Sequence, residues 1–92
     1  MEQVGSALQR IMAQTLQRLP AEQLPQAAWD FAAGRAVAEK TRVLAVEQGI
    51  LQVEVPDATW RSQLEAMRPQ LLNRLGQVMR VEGIEFHTAA PR

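Results

Sequence analysis

The sequence predicts a single α+β domain over residues 1–92, with helices covering one face of a small β-sheet. Three observations lead to this class. Apolar residues recur at helical spacing in the first third of the chain and again after residue 57. Between these segments, two short runs rich in β-branched residues alternate with a period of two. A chain of 92 residues with 47% hydrophobic content is large enough to bury one modest core.

The first predicted element is an N-terminal helix over residues 1–20, which Pro20 ends. Its apolar residues share one narrow stripe that contains no aromatic side chain: Val4, Leu8, Ile11, Met12, Leu16 and Leu19. Such a stripe allows two interpretations, a layer of the core or a docking element for another protein. Packing into the core is the favoured interpretation.

A second helix is predicted to begin at Pro25, because proline costs little in the first turn of a helix. It runs through QAAWDFAAGRAVAEK, with Trp29, Phe31 and Val37 as its larger apolar residues. Gly34 lies inside this helix at a cost of about 1 kcal/mol relative to alanine. We interpret that glycine as a sign of close packing or of a bend.

The runs TRVLAV and ILQVEV predict a β-hairpin, with Gly49 supplying the positive φ of a tight turn. The alternation assigns two faces. One face would carry Leu44, Val46, Leu51, Val53 and Val55, and the other Val43, Glu47, Gln52 and Glu54.

Asp57 is a good N-cap for the helical pattern that follows, whose apolar residues are Trp60, Leu64, Met67, Leu71, Leu75 and Val78. Pro69 interrupts this pattern, and a proline inside a helix costs roughly 3 kcal/mol. The spacing is compatible with one kinked helix or with two helices. The run VEGIEF then predicts a third strand, which completes a core over residues 25–87 and leaves residues 88–92 as a frayed tail.

Composition excludes several kinds of chemistry. The chain has no cysteine and one histidine, His87, and its five glycines stand apart, so no disulfide, zinc site or phosphate-binding loop is predicted. We therefore expect no catalytic residue, no metal and no cofactor. No apolar run approaches 18 residues and the N-terminus does not resemble a secretory signal, so a cytoplasmic protein without membrane contact is predicted.

Five basic residues are candidates for contact with nucleic-acid phosphates: Arg35, Lys40, Arg42, Arg68 and Arg74. The alternative is a solvated surface whose charges pair with one another, and we favour it for Arg68 because Glu65 lies within helical reach. A formal net charge of zero also opposes strong nucleic-acid binding. Trp60 could stack on a base, but its place on the apolar stripe favours a position in the core.

Four stretches, WDFAAGRAVAEKT, GILQVEVPDATW, QLEAMRPQLLNRL and IEF, together resemble the DciA family of bacterial replication proteins. The resemblance covers Trp29 to Phe86. The matching positions, which we expect to be mainly structural, are Trp29, Gly34, Gly49, Trp60, Leu64, Leu71, Leu72 and Phe86.

The resemblance implies a K-homology-like domain of type II, preceded by an extra N-terminal helix. It also implies a non-catalytic protein that binds the replicative DNA helicase and assists its loading or activity on DNA, with weak contact to single- or double-stranded DNA. The GxxG clamp of nucleic-acid-binding K-homology domains is replaced by Met67-Arg68-Pro69-Gln70. An RNA- or ribosome-associated module and a protein-interaction domain without nucleic acid remain the alternatives. The pattern does not determine the oligomeric state.

Overall fold

The computed structural model describes residues 2–89, and it describes side chains from Ala7 onward. The chain forms five helices and three strands in this range. In order they are α1 (Glu2–Leu16), α2 (Leu24–Ala33), α3 (Arg35–Ala38), β1 (Arg42–Glu47), β2 (Ile50–Val55), α4 (Ala58–Ala66), α5 (Arg68–Leu75) and β3 (Gly83–Thr88). None of these helices is long and apolar enough to cross a membrane.

The three strands form one mixed sheet in the order β1-β2-β3. β1 and β2 are antiparallel, and β2 and β3 are parallel. The α4–α5 pair connects the two parallel strands, as a parallel connection requires. The predicted α+β class, the three-stranded sheet and the type II K-homology-like order are therefore confirmed. β3 continues through Thr88, and Ala89 N–H donates to the carbonyl of Val55 at 3.0 Å, whereas residues 90–92 of the predicted tail lie outside the described range.

The β1–β2 hairpin turns on two residues, Gln48 and Gly49, which have φ values of 52° and 81°. Two consecutive positive φ values match the right-handed twist of the flanking strands. The predicted role of Gly49 is thus confirmed. Gln48 adopts the same left-handed region although it carries a Cβ.

The faces predicted for β1 are wrong at its start. Val43 pairs with Val53 and Val46 with Leu51, but the register shifts between Val43 and Ala45. This β-bulge inserts one extra residue, so Val43 shares the core-facing side with Val53 and packs against the core. Leu44, predicted to face the core, is 46% exposed.

The helix predicted from Pro25 to Lys40 is divided at Gly34, where α2 ends and α3 begins. Gly34 has φ 89° and ψ 161°, a backbone region that only glycine occupies readily. A Cβ at this position would have no heavy atom within 4 Å. The bend, and not close packing, is therefore what requires glycine here.

Pro69 stands at the junction of α4 and α5 and separates two helices. It occupies the first turn of α5, where its missing N–H leaves no helical hydrogen bond unmade. At the other end of α4, Asp57 caps the helix as predicted, because its Oδ1 accepts a hydrogen bond from Trp60 N–H at 2.9 Å.

The core lies between the sheet and helices α2, α4 and α5. Trp29 is fully buried, meets the ring of Phe86 edge-on at 6.1 Å between centroids, and donates its indole N–H to Thr41 Oγ1 at 2.8 Å. The buried apolar residues are Ala13, Ala28, Trp29, Ala32, Leu51, Val53, Val55, Leu64, Leu71, Leu75, Val78, Ile84 and Phe86.

Helix α1 places only part of its predicted apolar stripe against this core, so the favoured interpretation is wrong for Leu8, Ile11 and Met12, while the side chain of Val4 lies outside the described residues. Leu8, Ile11 and Met12 are 57%, 59% and 53% exposed. The helix contacts the body through Ala13, which is buried, and Leu16, which packs against the core. Ala13 and Leu16 thus form the contact side, whereas Leu8, Ile11 and Met12 point away from the core.

Candidate nucleic-acid interface

The α4–α5 junction corresponds to the place where a nucleic-acid-binding K-homology domain carries its GxxG clamp. Met67 alone separates the two helices, and its φ of −96° and ψ of 4° lie in the bridge region between helix and strand. Its side chain is exposed. No glycine stands here to let a sugar–phosphate backbone approach the main chain, so the junction does not reproduce the clamp.

A shallow groove of about 480 Å³ lies beside this junction, between α4 and β3. Arg61 and Arg68 flank Glu65 within it. Arg68 Nη2 donates to Glu65 Oε1, and Arg61 Nε lies 3.9 Å from Glu65 Oε2. The Arg68 guanidinium also stands 5.9 Å from the centroid of the Phe86 ring. The carboxylate thus occupies the position between two guanidinium groups that a phosphate would need.

The basic cluster predicted from sequence has Arg35 on α3, Lys40 in the turn that follows, and Arg42 at the start of β1. Arg35 Nε is 3.3 Å from Glu39 Oε2, and Arg42 Nη2 is 3.2 Å from Glu54 Oε1. Both pairs are exposed, with 92% of the Arg35 side chain accessible to solvent. Exposed pairs of this kind contribute about 0–1 kcal/mol, so a phosphate can compete for either arginine.

Lys40 differs from its two basic neighbours. It is exposed and forms no ion pair with any residue in the described part of the chain. It borders a shallow depression together with Arg42 and Glu54. Of the three cluster residues, Lys40 is therefore the cation most available to an incoming phosphate.

Arg74 is not part of this cluster. From α5, its Nη1 donates to the carbonyl of Ala32 at 3.2 Å. A cation at that position satisfies one of the free carbonyls at the C-terminal end of α2 and interacts favourably with the helix dipole. The structure therefore gives Arg74 a role in holding α5 against α2.

The positions that matched the family in sequence lie inside the fold or at its turns. Trp29, Leu64, Leu71 and Phe86 are buried, and Trp60 and Leu72 are partly buried and pack against the core. Gly34 and Gly49 both have positive φ. None of these residues presents a polar group to the groove.

Sequence reasoning missed the outward position of Leu8, Ile11 and Met12, which form the largest set of exposed apolar side chains among the described residues. It also missed the link between Arg74 and Ala32, which are 42 positions apart. The sequence did contain a signal for the outward position of these three apolar side chains. The side of α1 that lies opposite the stripe carries Ala13, a residue small enough for close approach to another helix.

No group of three or more histidine, cysteine, aspartate or glutamate side chains that could hold a metal ion occurs within residues 2–89. In the groove, Glu65 pairs with Arg61 and Arg68. The fold is a mixed three-stranded sheet covered by helices. Fold and site together define a K-homology-like α+β domain that lacks the nucleic-acid clamp.

The comparison with protein families identifies the group within this class. The family model described as "Dna[CI] antecedent, DciA" matches residues 3–86. The match covers nearly the whole chain, so the chain belongs to the DciA family, a replication-associated family. It also extends from the core into α1, which the resemblance over Trp29 to Phe86 did not include. No curated protein matches the chain.

Proposed function

We propose that this chain is a non-catalytic replication accessory protein of the cytoplasm, which binds the replicative helicase and assists its loading or activity on DNA. The observation that carries the proposal is the family match over residues 3–86. The groove adds no support for DNA binding, because Glu65 already pairs with both guanidinium groups beside it.

Contact with DNA is weak in this proposal and uses the cluster of Arg35, Lys40 and Arg42. Two of these cations are already paired with carboxylates, and the whole chain has no net charge. Non-specific affinity comes mainly from the neutralisation of phosphates, so two or three available cations give a low affinity. Arg68 and Arg74 are engaged within the fold and contribute less.

The first test is binding of the purified full chain to the replicative helicase of the same cell, measured by calorimetry. We expect a stoichiometric complex at micromolar concentration or tighter. A folded chain, verified by circular dichroism, that gives no heat of binding and no co-elution at that concentration would refute the helicase assignment.

The second test addresses DNA through fluorescence anisotropy with single-stranded DNA, duplex DNA and RNA of equal length. With about three phosphate contacts to a single strand, log K should fall with log salt at a slope no steeper than about −2. Arg35→Gln combined with Lys40→Gln leaves one of the three contacts and should reduce the slope to about −0.7. Arg80→Gln, an exposed arginine after α5, is the matched control and should preserve the wild-type slope.

The three substrates also separate the alternatives. Tighter binding of RNA than of single-stranded DNA would favour an RNA- or ribosome-associated module. The absence of any salt-dependent binding would leave a protein-interaction domain without a nucleic-acid role.

A further inference from the structure

Strand β1 lies at one edge of the sheet, because the strand order is β1-β2-β3. Its four central residues, 43–46, carry no charge, and among them Leu44 and Val46 are 46% and 36% exposed. An edge strand of this kind presents unpaired backbone groups to which a strand of another molecule can add. A chain that stays monomeric therefore needs a feature that closes this edge.

The side chain of Gln26 closes the β1 edge at one point. From the first turn of α2, its Oε1 accepts a hydrogen bond from Val43 N–H at 3.0 Å, and its Nε2 donates to Asp30 Oδ1 at 2.9 Å. A backbone N–H can only donate and an ionised carboxylate can only accept, so both partners require the same orientation of the Gln26 amide. Gln26 thus occupies a backbone N–H that would otherwise face an incoming strand.

The opposite edge of the sheet, formed by β3, carries charge instead. Glu85 is exposed on β3, and the groove between α4 and β3 contains Arg61 and Arg68. Charged side chains along an edge strand oppose the addition of another strand. In β1 the charged residues stand only at the two ends of the strand, so its centre depends on a different form of protection.

The β-bulge gives β1 a free edge that is complementary to a second copy of itself. Glu47 and Ile50 flank the two-residue turn and form a hydrogen-bonded pair, so the next residue, Val46, turns its N–H and C=O away from β2. Val43 also turns its N–H away from β2, towards Gln26. Two residues three positions apart face opposite edges of a regular strand, and the extra residue of the bulge brings both valines to the free edge.

A second β1 laid antiparallel along this edge would place Val43 opposite Val46 of the other copy, in both directions. The same register would place Arg42 opposite Glu47 at each end of the paired strands. A parallel arrangement in register would instead place like charges side by side. Charge pairs of this kind fix orientation and register more than affinity, so the sequence of β1 selects the antiparallel arrangement.

We propose that Gln26 acts as an edge cap that keeps β1 from pairing antiparallel with β1 of a second copy. The bulge leaves the edge able to pair, and Gln26 withdraws the Val43 N–H that the pairing needs. The paired strands would contribute six residues on each side, against about 20–30 in a stable interface. The dimer that forms without the cap is therefore weak and depends on high protein concentration.

The test compares the full wild-type chain with Gln26→Ala in sedimentation velocity, from micromolar to near-millimolar concentration. Alanine is a good helix former, so α2 should be preserved, which circular dichroism verifies. The wild type should remain a monomer throughout, and Gln26→Ala should become dimeric as the concentration rises. Gln26→Glu, which keeps an acceptor oxygen at the same chain length, is the matched control and should remain a monomer.

Hydrogen exchange locates the contact. The Val43 amide should exchange slowly in the wild type at any concentration, because Gln26 accepts its hydrogen bond. In Gln26→Ala the same amide should exchange fast in dilute solution and slowly once the dimer forms. An amide that stays fast in the dimer would mean that another surface associates, and would overturn the proposal.

A charge reversal tests the antiparallel register. Glu47→Lys, added to Gln26→Ala, would place a lysine opposite Arg42 of the other copy at both ends, and should weaken dimerisation by at least about fivefold. Glu85→Lys is the matched control, because it makes the same change of charge on β3 at the opposite edge. It should leave dimerisation of Gln26→Ala within about twofold.

A second variant without the acceptor oxygen is Gln26→Met, which keeps the length of glutamine and should dimerise as Gln26→Ala does. Folded, monomeric chains for both variants would show that the bulge alone closes the edge, and would overturn the proposal. A wild-type dimer that Leu44→Lys dissociates would overturn it as well, because pairing would then occur with the cap in place. Dimerisation that Glu47→Lys leaves unchanged would refute the antiparallel register.

Discussion

Thr41→Val should destabilise the domain much more than its small change in shape implies. The Trp29 indole is fully buried and its N–H donates to Thr41 Oγ1 at 2.8 Å. Valine has nearly the same volume as threonine but cannot accept that hydrogen bond. A buried donor left without a partner costs about 1–3 kcal/mol. The Val37 carbonyl, to which Thr41 Oγ1 donates, keeps the backbone N–H of Lys40 as a partner, so the loss falls on the indole.

The expected loss is a measurable fraction of the domain's total free energy of unfolding. A domain of this length has an unfolding free energy of about 5–14 kcal/mol, so the variant remains folded. A loss of 2 kcal/mol corresponds to a melting temperature lower by about 8–16 °C. Urea denaturation followed by far-UV circular dichroism gives the difference directly. Thr41→Ser, which keeps the hydroxyl, should cost less than about 1 kcal/mol.

A double-mutant cycle isolates the hydrogen bond. In a Trp29→Phe background there is no indole N–H to leave unpaired, so Thr41→Val should cost no more than Thr41→Ser does in the wild type. A Thr41→Val variant as stable as Thr41→Ser to within about 0.5 kcal/mol would refute the reasoning. So would a full Thr41→Val penalty that persists with phenylalanine at position 29.

Three further predictions concern the turns and the groove. Gly34→Ala should lower the free energy of unfolding in urea by about 1–3 kcal/mol, because alanine is strained in the backbone conformation of Gly34. The control Gly76→Ala, at a helical φ of −62°, should leave that free energy unchanged or raise it. Equal effects of the two substitutions would contradict the prediction. Pro69→Ala should lower the free energy of unfolding, measured by urea denaturation, by less than about 1 kcal/mol, because either residue fits the first turn of α5. A loss near 3 kcal/mol would contradict this placement of Pro69. Glu65→Gln removes the carboxylate that pairs with Arg68 and should change the free energy of unfolding by less than about 1 kcal/mol. It should also strengthen the binding of single-stranded DNA at low salt, measured by fluorescence anisotropy, because Arg68 becomes available to a phosphate. An unchanged affinity would mean that DNA does not contact the groove.

Local patterns predicted most of the secondary structure because the forces behind them are local. Gly49 supplied the hairpin signal, Asp57 the helix start, and the period of two the strands. Pro69 marked a helix boundary, although spacing alone could not distinguish a kink from a break, because the leucine period continues across it.

The features that sequence did not predict depend on where elements meet. One inserted residue in β1 exchanged the faces of Val43 and Leu44, and a period-two pattern does not reveal a bulge. Likewise, the apolar stripe of α1 established that the helix is amphipathic, but not which side the body would occupy. That side was decided by the fit of Ala13 against the rest of the fold.

In the candidate site, too, the sequence predicts contacts between residues close in the chain but not contacts between distant elements. Pairing of Glu65 with Arg68 follows from spacing within one turn and was expected. Pairing of Arg42 with Glu54 requires the strand register, and the Arg74 contact with Ala32 requires the packing of α5 on α2. Sequence therefore located the basic residues but could not say which of them the fold leaves available.

Under the proposed function, the paired arginines favour an order in which protein binding precedes contact with DNA. A domain whose arginines are largely paired has little affinity for DNA in isolation, because few phosphates are neutralised. Docking on a helicase that itself holds DNA would change this, because tethering raises the effective concentration of the second contact to the millimolar range. A cation such as Lys40, too weak to recruit DNA alone, would then be occupied within the complex. Weak charge is thus compatible with a role at DNA, provided that protein binding comes first.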